Sequence, residues 1–487
     1  MTFIDEIRNE ITRGVTIKDV ATTAHSSPFA LTLKNEVLAA LLSDVQAVDF
    51  GDNPRAVDHR IVVVRELLSI ADSKAWNLSR RNGMAYVYNG AFWQSLESDD
   101  MRGFLGRVAL KMGVPSFRAD DYKFRDELLK QFQSAAHLSV PEIDPETTLI
   151  NLANGTYEIK MAGHMLREFM PSDFMTYCLP FAFDEGAECP LFKDYLNRVL
   201  PDRESQMALA EYCGYIFVRL KLEKVLLLYG SGANGKSVFY EVLTALLGPQ
   251  NCSGYSLSSL TDSRSGYHRA KLADKLVNYA SEIHGNLQAD IFKQLASGEP
   301  VEARLPYEHP FIMTNYARLI FNANELPRDV EHSHAFFRRF LIIPFTETIP
   351  ADEQDIDLPR KIISKELPGV FNWVLQGLNR LLQQRRFSQC KAAERVLFQY
   401  QKESDSVAMF LEDRGYKRSA EHHEALGDLY KEYRTFCLDD GFRALGKTKF
   451  SGRLKTSGID VRKLNSGMRA FILRSSMSMG EETQGPF

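Results

Sequence analysis

The sequence predicts an α/β protein with a phosphate-binding core of buried strands and helices, flanked by helical and mixed segments. Three observations predict it. The stretch YGSGANGKSVF (229–239) follows the apolar run Val225-Leu226-Leu227-Leu228 and leads into a helix-forming segment; further buried-type runs downstream end in polar residues; and amphipathic helical patterns lie on either side. Size agrees: 487 residues exceed what one core fills, so three or four domains are expected, and 44% hydrophobic with 25% charged residues is ordinary for a globular chain.

No apolar run approaches the ~20 residues of a membrane span. The first residues, MTFIDEIRNEITRG, are acidic and amphipathic rather than signal-like, which predicts a cytoplasmic protein with no membrane partner. The six cysteines (Cys178, Cys189, Cys213, Cys252, Cys390, Cys437) form no C-x-x-C pair and read as reduced thiols, not a metal site. A net charge of -4 gives no overall sign of a nucleic-acid binder.

In chain order, residues 1–110 read as a mixed α/β region of no legible role, with a helical start and a hairpin in MAYVYNGAFWQSLE turning at Asn89-Gly90. Arg80-Arg81, just before it, read as a solvated surface pair. Residues 111–185 hold the strand-rich TLINLANGTYEIK, with a turn at Asn154-Gly155, and residues 186–220 read as short helices broken at Pro201. Residues 221–388 hold the nucleotide core and close on the amphipathic helix LPGVFNWVLQGLNRLLQQRRF. Residues 391–475 read as a small separate domain, and 476–487 as a polar, disordered tail.

The glycine stretch fits G-x-x-x-x-G-K-[ST], with a buried strand before it and a helix after it. Backbone N–H groups of Gly230, Ser231, Gly232, Ala233, Asn234 and Gly235 would face phosphates, Lys236 would reach the β and γ phosphates of ATP, and Ser237 would hold Mg²⁺. Hydrolysis needs an acid at the end of a neighbouring strand. KLVNYASEI supplies Glu282, which would share the metal and position water, with Ser281 where a second acid often sits. ARLIFNANELP then ends in Asn322 and Asn324, and Asn324 reads as a γ-phosphate sensor. In HAFFRRFLIIPF, Arg338 and Arg339 precede another apolar strand. Either they reach phosphate across a subunit boundary or they pair with a local carboxylate.

The order of these pieces within residues 225–345 resembles the superfamily 3 helicases, and among them the phage, plasmid and poxvirus primase-helicases. The resemblance runs from about residue 149, through INLANGTY and EYCGY, to the C-terminal domain; the first third is not covered. It implies a P-loop AAA+ ATPase core (Gly230 to Ser237 as the ATP loop, Glu282 as its acid, Asn324 as sensor) with Arg339 as the arginine finger and Arg338 beside it. It also implies a homo-hexameric ring, a helical collar before the ATP loop, and 3′-to-5′ movement on single-stranded DNA. In such rings a hairpin between the acid strand and the sensor strand handles DNA. Here SGEPVEARLPYEHPFIMTN (297–315) holds that place and offers Arg304, Tyr307 and His309, while Glu308 departs from the usual basic tip.

Near the C-terminus, EALGDLYKEYRTFCLDDG and ALGKTKFSGRLKTSG read as helices and IDVRKLNSGMRAFIL as two strands, the winged-helix order. Arg443, Lys447, Lys449, Arg453, Lys455, Arg462, Lys463 and Arg469 stand there against one acid, Asp460, which favours contact with forked or duplex DNA over a merely solvated face. The functional expectation is an ATP-dependent replicative DNA helicase of a phage, plasmid or other mobile element. The alternative is an ATP-switched initiator or loader that remodels DNA without processive unwinding. The first third has no D-x-D pair on a strand, so priming is expected from a separate primase or polymerase.

Overall fold

The computed structural model describes residues 34–74, 76–81, 84–136, 146–161, 163–263, 266–280, 287–305, 310–327 and 330–474. The expected helical start and the polar tail lie outside them. The N-terminal unit packs helices α1 (Lys34–Asp44), α2 (Ala56–Ser73), α3 (Ser98–Lys111) and α4 (Tyr122–Ala135) against the antiparallel strands β1 (Leu78–Arg81), β2 (Met84–Tyr88) and β3 (Trp93–Leu96). Their apolar faces close one core from Val37 to Ala136, so this unit runs past the expected boundary at 110. The β2–β3 turn forms as expected, because Asn89 Oδ1 accepts from the N–H groups of Ala91 (3.0 Å) and Phe92 (2.9 Å).

The arginines before that hairpin are not a solvated pair. The Arg81 guanidinium lies 4.5 Å from the centre of the Phe174 ring, and both side chains are half-buried. This edge of the unit also meets the core, where the Tyr86 hydroxyl donates to Asp274 Oδ2 at 3.0 Å. Burial pushes the Asp274 carboxyl above its ordinary range.

Strands β4 (Thr148–Leu152), β5 (Gly155–Lys160) and β6 (Gly163–Arg167) form a second antiparallel meander, turning between β4 and β5 where Asn154-Gly155 predicts it. The segment expected as a collar follows as two helices, α5 (Pro190–Val199) and α6 (Arg203–Tyr215), broken at Pro201.

Between collar and C-terminus lies one parallel sheet. Its strands are β7 (Val225–Tyr229), β8 (Cys252–Ser253), β9 (Val277–Ala280), β12 (Arg318–Ala323) and β13 (Phe340–Pro344), ordered β13-β7-β12-β9-β8 among the described residues. Leu226 and Leu228 of β7 point into one core and Val225 and Leu227 into the other, so the strand is buried on both faces, as a continuous apolar run requires. Helix α7 (Lys236–Leu247) follows β7, and α8 (Ala289–Ser297) precedes a separate hairpin of β10 (Val301–Ala303) and β11 (Phe311–Met313).

Helix α9 (Leu367–Gln384) lies across α6 so closely that a Cβ on Gly377 would fall 2.3 Å from the Ala210 carbonyl carbon. The buried Glu211 on α6 clamps the pair, accepting from Arg380 Nε (2.6 Å), Gln384 Nε2 (3.1 Å) and the Ser388 N–H (2.7 Å).

After α10 (Lys391–Glu403), the C-terminal unit has its own core. It comprises α11 (Ser406–Asp413), β14 (Tyr416–Arg418), β15 (Glu424–Ala425), α12 (Leu426–Asp439), α13 (Lys447–Thr456), β16 (Val461–Leu464), β17 (Gly467–Ala470) and β18 (Ile472–Arg474), with a sheet ordered β15-β17-β16. No helix among the described residues is long and apolar enough to cross a membrane. The six cysteines carry free thiols.

Candidate functional site

The glycine stretch lies at the C-terminal end of β7, where open parallel sheets place their ligands. Its backbone shape is fixed by close approach. A Cβ on Gly230 would fall 2.2 Å from the Phe345 carbonyl oxygen. Gly235 caps α7 at φ +85°, and a Cβ there would meet Val199 Cγ1 at 2.7 Å. The loop is also pinned by hydrogen bonds. Asn234 Nδ2 donates to the Phe345 carbonyl at 3.0 Å, the Ile349 N–H to the Ala233 carbonyl at 2.8 Å, and the Tyr195 hydroxyl to the Gly235 carbonyl at 2.8 Å. The cradle is thus built by three segments: its own, the end of β13, and the collar helix α5.

Lys236 is buried at 6% exposure, and its ammonium donates to the carbonyls of Gly230 (2.6 Å) and Ser231 (3.1 Å) and to Asn234 Oδ1 (2.9 Å). Burial lowers its pKa below the ordinary lysine value. Ser237 sits exposed in the first turn of α7. A cation held among loop carbonyls, the N–H groups of a helix start and an exposed hydroxyl form a donor set that fits a polyphosphate with its divalent cation.

The register brings the predicted sensor to this loop. Ala323 pairs with Tyr229, and the Gly230 N–H donates to the Ala323 carbonyl at 3.0 Å, so Asn324 follows directly beside the cradle, exposed. The Asn322 side chain is engaged within the sheet instead, its Oδ1 accepting from the Tyr279 hydroxyl on β9 at 2.9 Å. Strand β9 ends at Ala280, and Ser281 and Glu282 lie outside the described residues.

The two arginines sit at the opposite end of the sheet. Phe340 pairs with Val225, the first residue of β7, so Arg338 and Arg339 lie at the end of the sheet away from this chain's own cradle. Their environments differ. Arg339 is 7% exposed and donates to Ser297 Oγ (3.0 Å) and the Ala335 carbonyl, with Glu223 Oε2 at 3.3 Å. Arg338 is exposed and pairs with the same Glu223 oxygen. The local carboxylate that the sequence left as an alternative is present, and it serves both.

The hairpin expected between the acid and sensor strands is β10–β11, with Arg304 exposed just past β10. Tyr307, Glu308 and His309 lie outside the described residues. Its base is anchored by the buried Arg269, which donates to the carbonyls of Glu302 (2.9 Å), Leu260 (3.1 Å) and Asp262 (2.7 Å).

In the C-terminal unit Lys447, Lys449, Lys455, Arg462 and Lys463 are exposed, and Arg469 is half-buried with its Nε on Ser466 Oγ at 3.2 Å. Arg453 departs from the expected set. Its guanidinium turns inward to Asp405 and to His332 Nδ1 at 2.9 Å, tying helix α13 to the segment before the arginine pair. Since a guanidinium can only donate, His332 Nδ1 is the acceptor and Nε2–H donates to the Gln401 carbonyl at 2.7 Å. Sequence reading missed Tyr195, Glu223 and His332 because each acts on residues far along the chain. Asn234 alone had a local signal, inside the glycine stretch.

Fold and site together define an α/β protein with a glycine-cradled lysine at the C-terminal end of a parallel sheet. Residues 64–201 are similar to the family described as D5 N terminal like, and residues 228–339 to a family of unknown function, DUF5906. A protein of Acanthamoeba polyphaga mimivirus, named "Putative helicase L207/L206", is 28% identical over 219 residues, which cover 42% of this chain. The chain spans 22% of that relative's length. Among solved structures, an apo form of the NrS-1 C terminal region is similar with a TM-score of 0.46 and 11% identity, over 84% of this chain and 98% of that one. A second apo structure of that region gives a TM-score of 0.44 at 12% identity, over 85% and 99%.

Proposed function

We propose that this chain is the ATP-hydrolysing part of a DNA-replication helicase, a P-loop AAA+ ATPase of the superfamily 3 type that works as a homo-hexamer on single-stranded and forked DNA. The observation that carries the reading is the cradle at the end of β7, with the sensor strand β12 beside it and a hairpin inserted between β9 and β12. The mimivirus relative's name supports the same direction. The C-terminal unit, with helices α12 and α13 followed by the β16–β17 hairpin and β15 paired to β17, is read as a winged helix.

In this reading Lys236 leaves its three loop acceptors for the β and γ phosphates, a move that costs little because one set of oxygens replaces another. Mg²⁺, held by Ser237 and Glu282, supplies neutralisation of phosphate charge. Glu282 accepts the proton of the attacking water, and Asn324 hydrogen-bonds the γ phosphate. The Arg338–Arg339 pair, remote from its own cradle, supplies an arginine to the neighbour's, so that hydrolysis depends on assembly. Arg304, with Tyr307 and His309, grips the strand in the ring. Lys447, Lys449, Lys455, Arg462, Lys463 and Arg469 contact the fork. A separate primase or polymerase completes the replication unit in the host cytoplasm.

The test is ATP turnover by the full chain with and without single-stranded DNA. Turnover should be stimulated by DNA and abolished in Lys236→Ala. Turnover that survives Lys236→Ala would remove the cradle from the reaction.

A further inference from the structure

We infer that Arg338, rather than Arg339, crosses to the neighbouring subunit's phosphates, and that Glu223 is the latch that parks it until a neighbour arrives. This rests on the reading above that hydrolysis is completed between subunits.

The two guanidiniums are built for different tasks. Arg339 is enclosed, with Ser297, the Ala335 carbonyl and Glu223 around it, and pulling it out would strip a buried cation of its partners. Arg338 has 46% of its side chain exposed, and its partner is the Glu223 carboxylate, itself 29% exposed. Arg339 therefore anchors the segment while Arg338 is free to reach outward.

The latch is held rigidly in place. Glu223 stands in the turn between the collar and β7 at φ +55°, a left-handed conformation that a glutamate rarely adopts unless its surroundings impose it. Those surroundings are visible. The next residue, Lys224, donates its ammonium to the carbonyls of Arg338 (2.6 Å) and Phe340 (3.3 Å), and the Val225 N–H donates to the Arg339 carbonyl at 2.8 Å. Three consecutive residues of this turn thus grip three consecutive residues of the arginine segment, and the carboxylate is fixed where Arg338 must meet it.

The pair is suited to exchange. An exposed arginine–carboxylate bond is weak in water, whereas a triphosphate carries more charge and accepts a guanidinium in bidentate fashion. A neighbour's nucleotide can therefore take Arg338 from Glu223, whose carboxylate sets the threshold for that transfer.

The experiment measures ATP turnover per subunit of the full chain against protein concentration, at saturating ATP, Mg²⁺ and single-stranded DNA, for wild type, Glu223→Gln, Arg338→Ala, Arg339→Ala and Glu223→Gln/Arg338→Ala, with thermal melts as a check of folding. Wild-type turnover should rise with concentration. Glu223→Gln should shift the midpoint to about two- to fivefold lower concentration. Arg338→Ala should lose the rise by on the order of a hundredfold or more. The double variant should match Arg338→Ala. A Glu223→Gln midpoint that is unchanged or higher, with Arg338→Ala still inactive, overturns the latch and leaves the intersubunit reading standing. Full turnover in Arg338→Ala beside a folded but inactive Arg339→Ala returns the role to Arg339. Wild-type turnover independent of concentration down to the monomer overturns the intersubunit reading itself.

Discussion

The hydroxyl of Tyr195, on collar helix α5, donates to the main-chain carbonyl of Gly235 at 2.8 Å, and Gly235 is the cap of the helix that begins with Lys236. Helix α5 is therefore bonded directly to the cradle. Tyr195→Phe keeps the ring packing and removes the donor; the Gly235 carbonyl keeps the Phe239 N–H at 3.2 Å, so the loss is that of one ordinary hydrogen bond, about 0.5–1.5 kcal/mol. The loop conformation that receives phosphate bears that cost. KM for ATP should rise by roughly two- to tenfold, with kcat much less changed. A steady-state titration that returns the wild-type KM would show that the collar only packs against the loop.

The crossing of α6 and α9 should be intolerant of a single methyl group. A side chain at Gly377 would overlap the Ala210 backbone, so Gly377→Ala must push the helices apart and should destabilise by about 1–3 kcal/mol. Removing the clamp is worse. Glu211→Ala leaves Arg380 without its buried carboxylate, at about 3–5 kcal/mol. Urea unfolding curves rank the two. A Glu211→Ala midpoint equal to wild type would contradict the buried ion pair.

The basic residues of the C-terminal unit should separate into two kinds. Lys449 is exposed, and Lys449→Ala should weaken binding to forked DNA and reduce the slope of log K against log salt by about 0.9 if it meets one phosphate. Arg453 is committed to Asp405 and His332, so Arg453→Ala should lower the melting temperature and leave that slope unchanged. A salt titration of both variants reads the difference directly. Equal loss of slope would return Arg453 to the DNA-contacting set.

What the sequence made legible was whatever is contiguous. The cradle is eight consecutive residues between an apolar strand and a helix, and β7, β9, β12 and β13 announce themselves because they are buried on both faces, whereas the two-residue, half-buried β8 carries no such signal. The β2–β3 hairpin and the C-terminal helices follow from turn residues and periodicity in the same way, whereas the place of the β10–β11 hairpin came from the order of the motifs. The partners of isolated charges were not legible. Arg338 meets a carboxylate 115 residues earlier and Arg453 a histidine 121 residues earlier, and no local pattern carries such a pairing. The Arg338–Arg339 doublet looks symmetric in sequence, but α8 brings Ser297 to one guanidinium and leaves the other at the surface.

The most direct test of the central claim is strand displacement from a forked duplex with a free 3′ single strand, measured together with ATP turnover. The account predicts displacement that requires ATP hydrolysis and is lost in Lys236→Ala. DNA-stimulated turnover with no displacement from any forked substrate would contradict it and favour a loader that remodels DNA without unwinding it.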